Sequence, residues 1–347
     1  MSNLTGTAKL SAIALLWPRQ GDDSFIMCDM TGSVNGVGGG ALHKYTVSTA
    51  SYEMSLSMAA SAEARGTSAT KPISLGTNAL GAYSDLFFVT DAKGAGSIIN
   101  GTSMMVVTDI PLSDFAPCAS GGLWVEPHPT DESIVIAQYG AQDVDDVVKA
   151  ECLFQISLAS LKIEKTYELP TGADDAHGLA FCTSSTDGKE YLVNTNRVSA
   201  TLDILDYATG EVVVNEFDLN ANLPDHVSGG KKVLQPDVIY LDQSSNRLYI
   251  AARGPAPLSA VKAQNFFEDA TPGMFSFTIA SDCMSVKFDD EDIALLTDLS
   301  LPQADNIGDV HGIWGVNDEI WALDQAATGS VRTVETFYKC AASEISA

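Results

Sequence analysis

Short runs of β-favouring residues recur along this chain, separated by Gly, Asp, Asn and Ser, and helical periodicity is almost absent. Six core runs stand out: Ser24–Met30, Asp85–Asp91, Ser133–Tyr139, Tyr191–Asn196, Arg247–Ala252 and Glu319–Asp324. They recur about every 60 residues, somewhat above the 40–50 of a propeller blade and consistent with inserted loops. Several are preceded by a second apolar run, as in Gly122–Val125, His177–Phe181, Asp237–Leu241 and His311–Trp314. A closing hairpin follows, clearest where Ala200–Asp206 leads through Tyr207-Ala-Thr-Gly210 into Glu211–Val214. Gly210 is placed where such a hairpin needs positive φ.

Runs such as Leu86-Phe-Phe-Val89 are apolar throughout instead of alternating, which predicts strands covered on both faces. A single small sheet cannot cover both of its own faces. Stacking such sheets radially does so and protects most edges. The pattern therefore predicts an all-β chain, a single β-propeller domain over residues 1–347. Six antiparallel blades of three or four strands are expected, and a seventh has room between Gly254 and Asp318.

The stretch Tyr191–Val214, YLVNTNRVSATLDILDYATGEVVV, resembles the YVTN-type blade of lactonase-like and surface-layer propellers. The likeness is good over this one blade and diffuse elsewhere. It implies the fold, and it implies a lactonase-like hydrolase, or a related isomerase or cyclase, acting on a small molecule in the central funnel. The other reading is a non-catalytic propeller, secreted or surface-borne, that presents its loops to a ligand or protein.

In a propeller, loops leading into the innermost strands line one mouth of the channel. Four of these are polar here: Ser120-Gly-Gly122, Asp174-Asp-Ala-His-Gly178, Gln235-Pro-Asp237 and Asp309-Val-His-Gly312. His-Gly occurs twice, where Gly would allow a tight bend and leave the imidazole free to point inward. His177, His311 and Asp237 are thus candidate catalytic groups, with a His–Asp pair able to act as general base. Asp175 and Asp309 are candidate ligands for one divalent cation, Ca²⁺ or Mg²⁺ by their oxygens, or Zn²⁺ with the imidazoles. Such a cation would polarise a lactone carbonyl and activate water. Against this stands a plain structural role, with His and Asp capping backbone groups in a repeated turn.

Arg197 and Arg253 follow equivalent core runs. They could clamp a substrate carboxylate, but their more ordinary role is an ion pair between blades. Trp124 and Trp314 fall on predicted strands and read as core, although they lie close to the predicted mouth and could stack on a ligand. Glu126 and His128, in Glu-Pro-His-Pro-Thr-Asp, read as a turn. So does the acidic run Asp289–Asp292, which lacks the spacing of a calcium loop.

Composition narrows the partners. Of 347 residues, 45 are acidic and 19 basic, for a net charge of −26. That opposes nucleic-acid binding and adsorption to anionic membranes. Leu10–Trp17, the strongest apolar run, is too short to span a bilayer and reads as a strand. A monomer that takes a small-molecule ligand is expected. Gly36–Gly40 lacks the Lys-Ser/Thr of a phosphate loop, and there is no Gly-x-Ser-x-Gly elbow. Six cysteines without a CxxC pair allow up to three disulfides. With the sequons at Asn3 and Asn100 and few Lys, they lean toward a secreted protein, with an intracellular one holding buried thiols nearly as well supported.

Overall fold

The structure is a computed structural model that describes residues 13–19, 23–29, 34–35, 39–49, 51–65, 72–77, 81–91, 95–116, 122–139, 151–171, 175–254, 269–295, 310–316, 319–324, 327–328, 331–332 and 336–341. The chain divides into two compact units, Met1–Glu168 and Leu169–Ala347.

The first unit holds three four-stranded antiparallel sheets, each an up-and-down meander. They are β1 (Ile13–Arg19), β2 (Ser24–Asp29), β3 (Ala41–Thr46) and β4 (Ser51–Ser57); β5 (Pro72–Thr77), β6 (Leu86–Asp91), β7 (Gly96–Asn100) and β8 (Met105–Ile110); and β9 (Gly122–Pro127), β10 (Ile134–Tyr139), β11 (Cys152–Ser157) and β12 (Lys162–Glu168). The second unit holds β13 (Ala176–Thr183), β14 (Glu190–Asn196), β15 (Thr201–Asp206) and β16 (Val212–Asp218); β17 (Pro236–Asp242), β18 (Arg247–Ala252), β19 (Gly273–Ile279) and β20 (Val286–Leu295); and a three-stranded sheet of β21 (Val310–Val316), β22 (Glu319–Asp324) and β25 (Thr336–Ala341). A two-stranded pair, β23 (Ala327–Thr328) and β24 (Val331–Arg332), lies between β22 and β25.

Every core run of the sequence falls on the second strand of a sheet, and each preceding run on the first. The strand expected near Leu10–Trp17 is β1. Among the described residues, 254–318 contributes β19 and β20 to the sheet begun by β17 and β21 as the first strand of the three-stranded sheet, and no further three- or four-stranded sheet. The acidic run Asp289–Asp292 lies within the span of β20, where its register with β19 breaks between Phe288 and Ile293. The absence of helical period also hid two short helices, α1 (Met58–Arg65) and α2 (Asp225–Ser228). No described helix is long and apolar enough to cross a membrane.

Burial follows strand position. Phe87, Phe88 and Val89 of β6 are buried, as the unbroken apolar run requires. The fourth strands are half exposed, with β12 alternating residue by residue. In the first unit, Phe88, Phe115, Tyr139 and Phe154 form one aromatic core across two sheets. In the second, the sheets β13–β16 and β17–β20 share a core that includes Leu202, Ile204, Ile250 and Phe275. A disulfide joins Cys182 of β13 to Cys283, in the turn between β19 and β20, tying these two sheets across 101 residues. Cys152 is also disulfide-bonded, whereas Cys28 is a buried thiol whose pKa is pushed well up by desolvation.

The feature that shapes the candidate site is a pairing irregularity near the start of every first strand. It falls between Ile13 and Leu15, Pro72 and Leu75, Gly122 and Val125, Ala176 and Gly178, Pro236 and Ile239, and Val310 and Gly312. A bulge re-aims the side chain it carries. His177, Asp237 and His311 all fall in these irregular stretches, the two histidines at matching places in β13 and β21.

Candidate functional site: a charged network at the start of β13 and β17

Within the second unit, β13 and β17 lie side by side. Gly178 lets them approach: a Cβ there would lie 2.5 Å from Thr195 Oγ1 and 2.6 Å from the Asp237 carbonyl oxygen. The glycine after His177 therefore serves close approach between sheets. Gly178 is not among the positive-φ residues, and the left-handed position is Asp175, at φ 61°. Asp is one of the few residues that tolerate this conformation.

The positive φ turns Asp175 back toward its own sheet. Arg197, following β14, donates its backbone N–H to the Asp175 carbonyl at 2.8 Å. Its Nε donates to Asp175 Oδ2 at 2.6 Å, and Nη2 pairs with the same oxygen. The other oxygen, Oδ1, accepts from His177 Nδ1 at 3.1 Å. Arg197 Nη1 lies 3.2 Å from His177 Nε2 and donates to it. The imidazole is thus neutral, with its proton on Nδ1. Burial pushes the His177 pKa down and the Arg197 charge adds to this, outweighing the two nearby carboxylates. Burial would raise the Asp175 pKa, but Arg197 and His177 more than offset it and bring it to about 2.

The next sheet repeats the scheme with one exchange. Arg253, following β18, donates its backbone N–H to the Gln235 carbonyl at 3.0 Å, matching the Arg197–Asp175 bond. Its side chain pairs with Asp237 Oδ2, and both residues are fully buried. Asp237 Oδ1 lies 3.4 Å from His177 Nε2, and a hydrogen bond across the two sheets is the one Thr195 Oγ1 donates to the Asp237 carbonyl at 3.2 Å. Both arginines thus pair within their own sheets, and Thr195 and Gln243 make hydrogen bonds between the sheets. At Gln235, which precedes β17 as Asp175 precedes β13, neither amide atom has a hydrogen-bond partner among the described residues, although the side chain is fully buried.

Two carboxylates, two guanidinium groups and one neutral imidazole leave this network without net charge. Each carboxylate already carries a guanidinium. Among the described residues, no three His, Cys, Asp or Glu side chains are grouped to hold a metal. Asp309 lies outside the described residues. His311 and Trp314 are placed on β21 by their backbone, with side chains outside the described set.

In the first unit, Trp124 is buried on β9 and its Nε1 donates to Glu126 Oε2 at 3.1 Å. Glu126 is partly buried, and desolvation pushes its carboxyl up to about 8, against the lowering effect of that bond. It is thus mostly protonated at neutral pH. His128 Nδ1 accepts the backbone N–H of Asp131 at 2.9 Å and of Thr130 at 3.2 Å, which makes it a turn cap. Sequence reasoning found the residues of the β13–β17 network but not their pairing. The matched backbone bonds of Arg197 and Arg253 were visible only as two arginines after equivalent runs.

No protein-family profile matches this chain, and no curated protein sequence matches it. Among solved structures it is similar to the β-propeller domain of Myceliophteria thermophila Cps50 (Swd1), with TM-score 0.55 and 10% identity over 96% of this chain and 88% of that one. A computationally designed protein, Ika8, aligns with TM-score 0.46 and 9% identity over 90% of this chain and 68% of that one. The first likeness and the repeated four-stranded meanders establish a β-propeller fold. At 10% identity it carries no activity with it.

Proposed function

We propose that this protein is a ligand-binding propeller, in which the mouth at the start of β13 and β17 receives a small, uncharged polar molecule. The observation that carries this reading is the internally paired network. Asp175, His177 and Arg197 hold one another and Asp237 pairs with Arg253 beside them, so they stiffen the mouth instead of standing ready to transfer protons. The Gln235 amide then offers one donor and one acceptor that the described protein groups do not use. A neutral hydroxyl or carbonyl compound matches that pair and leaves the charge balance intact. The disulfide Cys182–Cys283 supports placing the protein in an oxidising compartment, as a secreted or surface-borne monomer.

Calorimetric titration with a panel of neutral lactones and sugars tests this. A saturable ligand that Gln235→Leu no longer binds is expected. If Gln235→Leu binds that ligand as well as the parent, the mouth is not the site.

A second reading, a lactonase-like hydrolase, is favoured by His177 lying 3.4 Å from Asp237 and by His311 at the matching place in β21. Turnover of a lactone from the same panel, abolished in His177→Ala and His311→Ala without loss of thermal stability, would select it over the binding reading.

A further inference from the structure

A second constellation lies in the first unit, on one face of the sheet β1–β4. His43 of β3 pairs directly with Ser55 of β4 and with Met27 of β2, two residues before Asp29. One face therefore presents Asp29, His43 and Ser55 in order across three neighbouring strands. His43 Nδ1 lies 2.6 Å from Ser55 Oγ. On its other side, His43 Nε2 lies 3.7 Å from Asp29 Oδ2 and makes no hydrogen bond. Asp29 and His43 are buried, at 0% and 1% exposure, whereas Ser55 is only half-buried. A reachable hydroxyl, backed by a buried imidazole and a buried carboxylate, is the arrangement nucleophilic catalysis requires. The Tyr52 hydroxyl lies 2.9 Å from Ser55 Oγ. Its ring meets Tyr45 edge-on at 5.8 Å, and Tyr45 stacks on Phe25 at 5.3 Å, so an aromatic surface adjoins the hydroxyl.

We propose that Ser55 is an acyl-transfer nucleophile, with His43 as its base and Asp29 orienting the imidazole, and that it hydrolyses carboxylic esters with apolar or aromatic acyl groups. With the proton on Nε2, facing Asp29, Nδ1 is free to accept the Ser55 proton. Oγ attacks the ester carbonyl carbon, and its proton passes to Nδ1. The carbon–oxygen bond to the alcohol breaks, and the alcohol leaves with that proton. Water then attacks the acyl-Ser55 ester, giving its proton to Nδ1. Release of the carboxylic acid returns the proton to Oγ, so the net reaction is ester plus water to acid plus alcohol. Tyr52 supplies a hydrogen-bond donor beside the reacting oxygen. The 3.7 Å His43–Asp29 separation is of the loose kind that tightens when substrate binds. This site shares no residue with the β13–β17 mouth and stands or falls independently of it.

The test is covalent labelling of the folded full-length protein with a fluorophosphonate, read by intact mass and peptide mapping. One adduct on Ser55 is expected, together with hydrolysis of p-nitrophenyl butyrate and p-nitrophenyl benzoate. Ser55→Ala removes a single oxygen and should keep the unfolding midpoint while abolishing both signals. His43→Gln should slow labelling at least 100-fold, the low end of a general-base contribution. An unchanged intact mass after prolonged exposure, an adduct on a different serine, or undiminished ester hydrolysis in Ser55→Ala would overturn the proposal. In that case Ser55 simply satisfies His43 within the sheet.

Discussion

Replacing Arg253 with Met isolates the energetics of the β13–β17 network. Both members of the Arg253–Asp237 pair are fully buried. Removing the guanidinium takes the opposite charge away from the buried carboxylate, whose Oδ1 faces the neutral His177 ring 3.4 Å away. Breaking a buried pair from one side costs about 3–5 kcal/mol, because a charge remains without compensation. For a unit of this size that corresponds to roughly 6–20 °C in Tm. Removing both charges together, in Asp237→Asn/Arg253→Met, should recover at least about 2 kcal/mol of the loss as coupling energy. Urea unfolding at neutral pH, followed by Trp fluorescence, measures both variants. The deficit of the single variant should grow as pH rises. An uncompensated buried carboxyl has its folded pKa above the unfolded one, so its contribution is retained at low pH and lost on ionisation. A single variant within about 1 kcal/mol of the parent, or a double variant no more stable than the single, would refute this account.

Other perturbations follow from the same geometry. Gly178→Ala would press a methyl against Thr195 Oγ1 and the Asp237 carbonyl, at 2.5 and 2.6 Å, and the second of these is backbone and cannot rotate away. A loss of about 1–3 kcal/mol or more is expected in urea unfolding, whereas Gly188→Ala meets no atom within 4 Å, so any loss there reflects only its positive φ. Cys182→Ala/Cys283→Ala opens a bridge spanning 101 residues; chain entropy assigns such a loop about 4–5 kcal/mol, and a drop of at least ~2 kcal/mol should appear by calorimetry. Glu126→Gln should stabilise the protein at pH 8 more than at pH 5. The wild-type carboxyl, raised to about 8 in the folded state, costs stability as pH climbs above its unfolded value. Equal effects of Glu126→Gln at both pH values would show that Glu126 is not desolvated.

The core runs of the second strands were legible without coordinates because strands covered on both faces lose the polar alternation that other strands keep. Leu86-Phe-Phe-Val89 could hardly be placed anywhere else, and the same physics yielded the repeated meander and the turn at Gly210, which has φ 81°. The polar groups at the starts of β13 and β17 were legible as well, since they stand out before apolar runs: His177 lies 3.1 Å from Asp175 and 3.4 Å from Asp237. What they do to one another was not legible. Whether His177 is a free base or a locked neutral ring depends on Arg197, twenty residues away, reaching both it and Asp175. The Asp29–His43–Ser55 alignment left no mark in the sequence, because it arises from strand register and no motif spans three strands. The Gly178 contact belongs to the same class, being set by a backbone 59 residues further along the chain. The sequence by itself determined the strands, their order and the polar character of the residues that lead into them, because burial pattern and turn chemistry are local. Only the tertiary structure decided charge pairing, proton position and the approach of neighbouring sheets, because electrostatics and packing depend on distances that local sequence does not encode.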